Sequence, residues 1–221
     1  MRTVVFDLDG TLADTSADLI AAANACFRVM GAGDQLDPLK DAGTAFRGGR
    51  AMLKLGFTRM GLAEDEAEIE RQYPLLLQAY EDAIDTHTTL YPGAIDAVEG
   101  LRGAGYKVAI CTNKPEALAR LLMTRLGALD AFGALIGADT LPVRKPDPET
   151  LREAVRRAGG DPARCLLVGD TVTDRETSRA AGVPSVLVTF GPDGEGVAAL
   201  SPEALIGHYG ELSDVVRRLI G

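Results

Sequence analysis

The stretch Phe6-Asp7-Leu8-Asp9-Gly10-Thr11-Leu12 closes a short apolar run, residues 3–8, that is rich in β-branched side chains. Such a run is typical of a strand buried on both faces of a parallel sheet. Its two carboxylates would then lie at the carboxyl edge of the sheet, where open α/β sheets bind ligands. An EF-hand loop is excluded, because the glycine stands at loop position 4 instead of 6 and the liganding glutamate is missing. A turn in which Asp and Gly are purely structural is the alternative.

Apolar runs of the same kind recur along the chain and alternate with helical patterns. This alternation predicts an α/β fold, a Rossmann-like parallel sheet with right-handed crossovers and helices on both faces. The further predicted strands are Lys107–Cys111, Ala134–Ile136, Cys165–Val168 and Ser185–Thr189, and the helices between them are Ala94–Leu101, Pro115–Leu126, Pro148–Ala158 and Asp174–Ala181.

The segment between the first two predicted strands breaks this alternation, because it shows helical patterns and no convincing strand. Ser16 can cap a first helix, and a second covers Ala51–Met60. A third covers Glu64–Ile84, where Pro74 should kink or split it. We therefore predict a helical cap domain, residues 15–88, inserted into an α/β core formed by residues 1–14 and 89–221.

Two later segments place polar groups beside predicted strand ends. In Ile110-Cys111-Thr112-Asn113-Lys114-Pro115, a hydroxyl, an amide and free main-chain N–H groups suit an oxyanion or a phosphate. The alternative is that Thr112 or Asn113 is an ordinary helix N-cap. In Arg144-Lys145-Pro146-Asp147-Pro148, a proline-stiffened loop could hold the ammonium of Lys145 in place, and the alternative is a solvated basic pair.

A fourth segment, Val168-Gly169-Asp170-Thr171-Val172-Thr173-Asp174, ends another predicted strand with an acid and adds a second acid four residues later. Hard divalent cations prefer oxygen ligands, and Mg²⁺ is usually held by one or two carboxylates together with substrate phosphate. The alternative for Asp174 is a helix N-cap. Taken together, three strand ends bring Asp, Asp, Thr and Asp to one edge of the sheet.

These four segments, in this order and with a helical insertion after the first strand, resemble the haloacid dehalogenase superfamily over the whole chain. The resemblance implies that Asp7 is a nucleophile that forms an aspartyl-phosphate and that Asp9 is the general acid and then the general base. It implies that Mg²⁺ is held by Asp7, the main-chain carbonyl of Asp9 and Asp170. Asp174 is a further metal-site candidate that would pair with Lys145 or orient a metal-bound water.

The resemblance also implies that Thr112 and Asn113 hydrogen-bond the transferring phosphoryl group and that Lys145 neutralises its charge. The presence of Asp9 argues against the dehalogenases and phosphonoacetaldehyde hydrolases of the superfamily. Stretches 112–115, 144–148 and 189–191 look like those of phosphoglycolate phosphatases. Pyrophosphatases, other sugar-phosphate phosphatases and β-phosphoglucomutase-like phosphomutases remain alternatives. A receiver-like phospho-accepting domain is the non-enzymatic alternative, which Asp9 and the insertion disfavour.

The predicted cap contains a basic stretch, residues 42–63, without a single acid. Arg47 and Arg50 flank two glycines there, and guanidinium groups suit bidentate carboxylate binding. We expect one of them to read a carboxylate on a small phosphate ester such as 2-phosphoglycolate while the cap closes over the site. A solvated basic helix face is the alternative.

The composition limits the range of partners. The 221 residues carry a net charge of −9, which disfavours nucleic acid and anionic membranes as main partners and leaves a small phosphorylated metabolite. Three scattered cysteines indicate reduced thiols. With neither a signal-peptide pattern nor a long apolar window, we expect a soluble cytoplasmic protein that is a monomer or homodimer.

Overall fold

The structure, a computed structural model, describes residues 1–62 and 65–221. The chain divides into two compact units. The larger contains Met1–Asp14 and Leu90–Gly221, and the smaller contains Thr15–Thr89. The predicted division, residues 1–14 with 89–221 and residues 15–88, places Thr89 in the other unit, and the roles of core and cap stay predictions.

The larger unit is built on a six-stranded sheet. Its strands are β1 (Thr3–Phe6), β4 (Lys107–Cys111), β5 (Ala134–Ile136), β6 (Cys165–Gly169), β7 (Ser185–Val188) and β8 (Ala204–Ile206). Their order is β5-β4-β1-β6-β7-β8, and all five pairings are parallel. Two short strands, β2 (Ala13–Asp14) and β3 (Thr89–Leu90), form a separate sheet. The predicted α/β fold with a parallel sheet is confirmed.

Strand β1 lies at the centre of the sheet and pairs with β4 on one side and β6 on the other. All four of its residues are buried, as its β-branched and apolar composition predicts. The strand ends at Phe6 rather than continuing to residue 8. Asp7 therefore lies directly beyond the carboxyl end of a central parallel strand.

Five helices flank this sheet: α5 (Ala94–Gly103), α6 (Glu116–Arg125), α7 (Pro148–Arg157), α8 (Val172–Ala181) and α9 (Leu212–Ile220). Strand β8 and helix α9 lie beyond the predicted elements. Two predicted helix starts are wrong. Pro115 is the N-cap of α6 instead of its first residue. Thr171 is the N-cap of α8, so Asp174 is the third residue of this helix and not its cap.

The smaller unit is helical, with α1 (Ser16–Val29), α2 (Ala42–Ala45), α3 (Gly49–Arg59) and α4 (Glu66–Asp82). The N-cap of α1 is Thr15 instead of the predicted Ser16. Helix α4 is continuous through Pro74, so the predicted split is wrong. Its buried side chains on both sides of the proline, among them Ile69 and Leu76, hold the helix together through packing. The start predicted for this helix, at residue 64, lies outside the described residues.

Two further expectations concern cysteines and membranes. All three cysteines are buried and free, in agreement with reduced thiols. Within residues 1–62 and 65–221, none of the helices is long and apolar enough to cross a membrane.

Candidate active site

Three buried carboxylates meet at the carboxyl edge of the large sheet. Asp7 follows β1, Asp170 follows β6, and Asp174 lies in the first turn of α8. Each offers an oxygen atom, and these oxygens all lie within 4.8 Å of one another. Parallel strands end at the same edge, which is why residues 163 positions apart in the chain, Asp7 and Asp170, come together.

Lys145 is the cation of this cluster. Its Nζ lies 2.6 Å from Oδ1 of Asp174 and 3.0 Å from Oδ1 of Asp7, and its side chain is only 2% exposed. Burial alone would lower the pKa of Lys145, but the charges of Asp174 and Asp7 outweigh it, so the pKa is raised and the ammonium stays charged. A solvated basic pair is therefore wrong for Lys145.

Asp174 is fixed from both of its oxygens. Oδ1 accepts a hydrogen bond from Lys145, and Oδ2 accepts from the hydroxyl of Thr171 at 2.8 Å in the capping box of α8. Oδ2 also lies 3.3 Å from the main-chain N of Asp170. Gly169 makes room for this arrangement, because a Cβ there would lie 2.3 Å from Cγ of Asp174. Asp174 therefore holds Lys145 and the loop after β6 in place.

Asp7 has an unusual electrostatic environment. Its Oδ1 accepts the main-chain N–H of Leu8 at 2.7 Å, in addition to the contact with Lys145. Burial raises the pKa of Asp7 to about 6; Lys145 opposes this rise, and Asp174 and Asp9 add to it. Burial, with the charges of Asp174 and Asp7, also raises the pKa of Asp170 well above its usual range. One ammonium is too little positive charge for three buried carboxylates.

Asp170 carries the clearest sign of a cation site. Its Oδ1 accepts the hydroxyl of Thr11 at 2.8 Å, while its buried Oδ2 has no hydrogen-bond partner in the described part of the chain. Gly10, at φ +79°, lies against this oxygen, and a Cβ there would approach it to 2.3 Å. A buried carboxylate oxygen without a donor, next to two further acids, suits a hard divalent cation with oxygen ligands.

Tyr209, near the C-terminal end of the chain, is linked to Asp170 through hydrogen bonds of Thr11. The hydroxyl of Tyr209 donates to the main-chain oxygen of Thr11 at 2.7 Å, and Thr11 in turn bonds Asp170. Phe190 packs on Tyr209, with ring centroids 5.3 Å apart. Nothing in the sequence around Tyr209 indicates this role, because the contact joins residues 198 positions apart.

The segment after β4 contributes Thr112, Asn113 and Lys114. Thr112 is buried, and its hydroxyl oxygen accepts the main-chain N–H of Lys114 at 3.1 Å. The exposed side chain of Asn113 donates to the main-chain oxygen of Lys145 at 3.1 Å, so it ties the two loops together. The first helical residue is Glu116, so neither Thr112 nor Asn113 is the N-cap of α6.

The segment 110–115 also contains Lys114, for which the sequence predicts no role. Its side chain is 3% exposed, and its Nζ lies 2.7 Å from Oδ1 of Asp9. The side chain of Asp9 therefore points to a cation of its own. A lysine between a polar strand end and a proline is the one signal in the sequence that could have found this pair.

The two arginines predicted to read a carboxylate lie in the smaller unit. Arg50 makes two hydrogen bonds to Glu70, at 2.8 and 2.9 Å, and its guanidinium lies 3.9 Å from the centre of the Tyr73 ring. Arg47 is exposed and has no ion-pair partner among residues 1–62 and 65–221. Within the described residues, Glu70 engages the guanidinium of Arg50, whereas no ion pair engages that of Arg47.

Similarity to known proteins shows the family of this chain. Residues 1–182 match the haloacid dehalogenase-like hydrolase family. The chain belongs to this family. Phosphoglycolate phosphatase of Mesorhizobium japonicum is 42% identical over 98% of this chain and 96% of that protein. Phosphoglycolate phosphatase of Agrobacterium fabrum is 35% identical over 95% of this chain and 89% of that protein.

A solved structure shows the same fold. The crystal structure of a predicted phosphoglycolate phosphatase from Haemophilus somnus has a TM-score of 0.86, with 22% identity, and covers 97% of each chain. The resemblance to the haloacid dehalogenase superfamily is thus confirmed for sequence and fold. The predicted enzyme class, a hydrolase of phosphoric monoesters, is supported by the family and by its full-length relatives.

Proposed function

We propose that this hydrolase is a Mg²⁺-dependent phosphatase that acts on 2-phosphoglycolate through an aspartyl-phosphate on Asp7. The observation that carries the proposal is the carboxylate of Asp7 at the end of the central strand, which contacts Lys145 and lies close to the carboxylate of Asp170, whose Oδ2 accepts no hydrogen bond from the described residues. A carboxylate fixed by one cation and flanked by a cation site suits attack on a phosphate that is itself negatively charged.

The reaction takes two steps. In the first, an oxygen of Asp7 bonds to phosphorus, the bond from phosphorus to the ester oxygen breaks, and that oxygen takes the electron pair and a proton from Asp9. In the second, a water oxygen bonds to phosphorus while Asp9 accepts a proton from the water, the bond from phosphorus to the oxygen of Asp7 breaks, and its electron pair returns to Asp7. Glycolate leaves after the first step and inorganic phosphate after the second.

The remaining polar groups of the edge bind the phosphoryl group. We assign Thr112 and Asn113 as hydrogen-bond donors to its oxygens and Lys145 as the charge that offsets the growing negative charge. Lys145 suits this part because Asp174 fixes its Nζ and Asn113 fixes its main chain. A donor that is already in place needs no rearrangement when the charge develops.

For the metal we propose Asp7, Asp170 and the main-chain carbonyl of Asp9 as protein ligands. Asp174 acts through Lys145 in this assignment, because both of its oxygens already accept hydrogen bonds. A bound Mg²⁺ supplies positive charge that lets an anionic nucleophile approach an anionic ester. Mg²⁺ prefers carboxylate and carbonyl oxygens, which is the donor set that these residues offer.

For the substrate we rely on the two relatives named phosphoglycolate phosphatases and on the exposed arginine of the smaller unit. 2-Phosphoglycolate carries a carboxylate next to its phosphate ester, and a guanidinium binds a carboxylate with two parallel hydrogen bonds. We assign this contact to Arg47, since Arg50 is engaged by Glu70.

The test is phosphate release by the purified chain across a panel of small phosphate esters, with and without Mg²⁺. We expect the highest kcat/KM for 2-phosphoglycolate and none of this activity in excess chelator. A need for a sugar bisphosphate activator would indicate a phosphomutase instead. An aspartyl-phosphate that persists for minutes without phosphate release would indicate a phospho-accepting domain.

A further inference from the structure

We propose that Lys114 is a positioning residue that holds the carboxyl group of Asp9 in place for proton transfer to the leaving group, an inference that rests on the function proposed above. The contact is direct, since Nζ of Lys114 lies 2.7 Å from Oδ1 of Asp9. The side chains are 3% and 18% exposed, so the pair is largely screened from water.

The main chain of Lys114 is itself fixed on both sides. Its N–H donates to the hydroxyl oxygen of Thr112 at 3.1 Å, and its carbonyl oxygen accepts the N–H of Ala138 at 2.9 Å. Because β1 and β4 are paired in register, with Phe6 opposite Ile110, the turns that follow these strands are neighbours. The ammonium of Lys114 is therefore presented to Asp9 from a rigid turn.

The stability of the fold does not explain why Lys114 and Asp9 form a buried ion pair. A buried ion pair loses much of its attraction to desolvation, and apolar replacements are often as stable. Asp7 and Asp174 form their ion pairs with Lys145. An ammonium can bind Oδ1 of Asp9 whether the carboxyl group is ionised or carries its proton on the other oxygen. Lys114 can therefore hold Asp9 in one orientation through both reaction steps.

The test compares two esters without a carboxylate, phenyl phosphate and 4-nitrophenyl phosphate. Phenolate needs a proton to leave much more than 4-nitrophenolate does. In Lys114→Met we expect kcat/KM for phenyl phosphate to fall about 10²-fold, the scale of a misplaced catalytic group, and kcat/KM for 4-nitrophenyl phosphate to fall far less. The ratio of the two values is independent of how much of the variant is folded. Lys114→Arg should recover part of the loss, and Lys40→Met, at a side chain 82% exposed, should behave as wild type.

A double-mutant cycle separates positioning from direct binding. If Lys114 acts through Asp9, adding Lys114→Met to Asp9→Asn should lower kcat/KM little further. Equal losses on both esters, with multiplied effects in the double variant, would mean that Lys114 binds the phosphoryl group and would overturn the proposal. A loss confined to 2-phosphoglycolate would assign Lys114 to its carboxylate and would also overturn it. If wild type hydrolyses none of the three esters, the proposed function fails and the role of Lys114 falls with it.

Discussion

Two lysines of the larger unit and two arginines of the smaller unit form opposite kinds of ion pair. In the larger unit, Lys145 and Lys114 are 2% and 3% exposed, and each meets acids from distant parts of the chain. In the smaller unit, Arg50 and Arg59 are 47% and 41% exposed and pair with Glu70 and Asp41, acids of the same unit. Burial distinguishes these two lysines from these two arginines.

This difference explains why a density of positive charge is a poor guide to function. Exposed ion pairs typically contribute at most about 1 kcal/mol and impose little on the rest of the fold. A buried lysine is kept only where carboxylates or other acceptors pay its desolvation. The single lysine of a proline-stiffened loop was therefore more informative than four cations in the acid-free stretch 42–63, two of which have acids outside that stretch as partners.

The sharpest way to break this comparison is Asp7→Asn. The substitution keeps the size of the side chain, removes the proposed nucleophile and leaves Lys145 facing an amide. We expect hydrolysis of 2-phosphoglycolate to fall to the limit of detection while the circular dichroism spectrum is unchanged. Asp34→Asn, which removes an exposed acid paired with Arg28, is the matched control and should keep wild-type kcat/KM. More than a few per cent of residual kcat in Asp7→Asn would contradict the covalent mechanism.

A second prediction uses two glycines with the same backbone conformation, Gly10 at φ +79° and Gly31 at φ +78°. Alanine at either position has an unfavourable positive φ, which costs about 1–2 kcal/mol of stability. Of the two, only Gly10 places the new Cβ against a neighbour, Oδ2 of Asp170 at 2.3 Å; at Gly31 no atom of the described residues lies within 4 Å. Gly10→Ala should therefore raise the Mg²⁺ concentration for half-maximal activity roughly 10–100-fold, the usual effect of disturbing a residue next to a metal ligand.

Gly31→Ala controls for the backbone cost alone. It should lower the free energy of unfolding in urea by a similar amount and leave the Mg²⁺ requirement unchanged. If both variants shift the Mg²⁺ requirement equally, the oxygen of Asp170 is not part of the metal site.

The comparison also shows what the sequence could predict. The alternation of apolar runs and helical patterns predicts the central strands, because a parallel strand buried on both faces needs a continuous apolar run. Residues that directly follow such strands, Asp7, Thr112 and Asp170, could be placed at one edge from that alone. Their placement at one edge follows from the parallel direction of the strands and needs no knowledge of side-chain contacts.

The residues that sequence reasoning missed all act through tertiary contacts. Tyr209 reaches Thr11 across 198 positions, and its own neighbourhood has the composition of an ordinary surface turn. Strand β8 has the same Ala-Leu-Ile sequence as β5, but it follows a 3₁₀ helix, Gly194–Leu200, so the alternation of apolar runs with α-helical patterns does not reveal it. The partners of Arg50 and Arg59 lie 20 and 18 positions away on other elements, which local spacing does not reveal.

The third prediction sharpens the contrast within the smaller unit. Arg47→Ala should lower kcat/KM for 2-phosphoglycolate by about 1.5–3 kcal/mol, the scale of a hydrogen bond to a charged group, mainly through KM. It should affect 4-nitrophenyl phosphate little, because that ester has no carboxylate. Arg50→Ala is the matched control and should have the smaller effect, since Glu70 occupies its guanidinium. A larger loss in Arg50→Ala would show that Arg50 leaves Glu70 to bind the substrate. Equal losses on both esters would show that neither arginine binds the substrate carboxylate.

The smallest effect is expected for the pair of Arg59 and Asp41. The guanidinium donates to both oxygens of Asp41, at 2.6 and 2.8 Å, and this contact holds the pKa of the carboxyl group below its usual value. Because the pKa in the folded state is below that in the unfolded state, about 3.9, the stabilisation is fully present above about pH 4 and is lost as the pH falls through the lowered pKa. Arg59→Met should therefore lower the free energy of unfolding by about 1 kcal/mol at pH 7, and the difference from wild type should shrink at about pH 3.

Urea denaturation at both pH values measures this difference. Arg28→Met, whose pair with Asp34 is more exposed, is the control that should lose less stability. A difference of the same size at both pH values would mean that Arg59 stabilises the unit through the packing of its apolar stem and not through its charge.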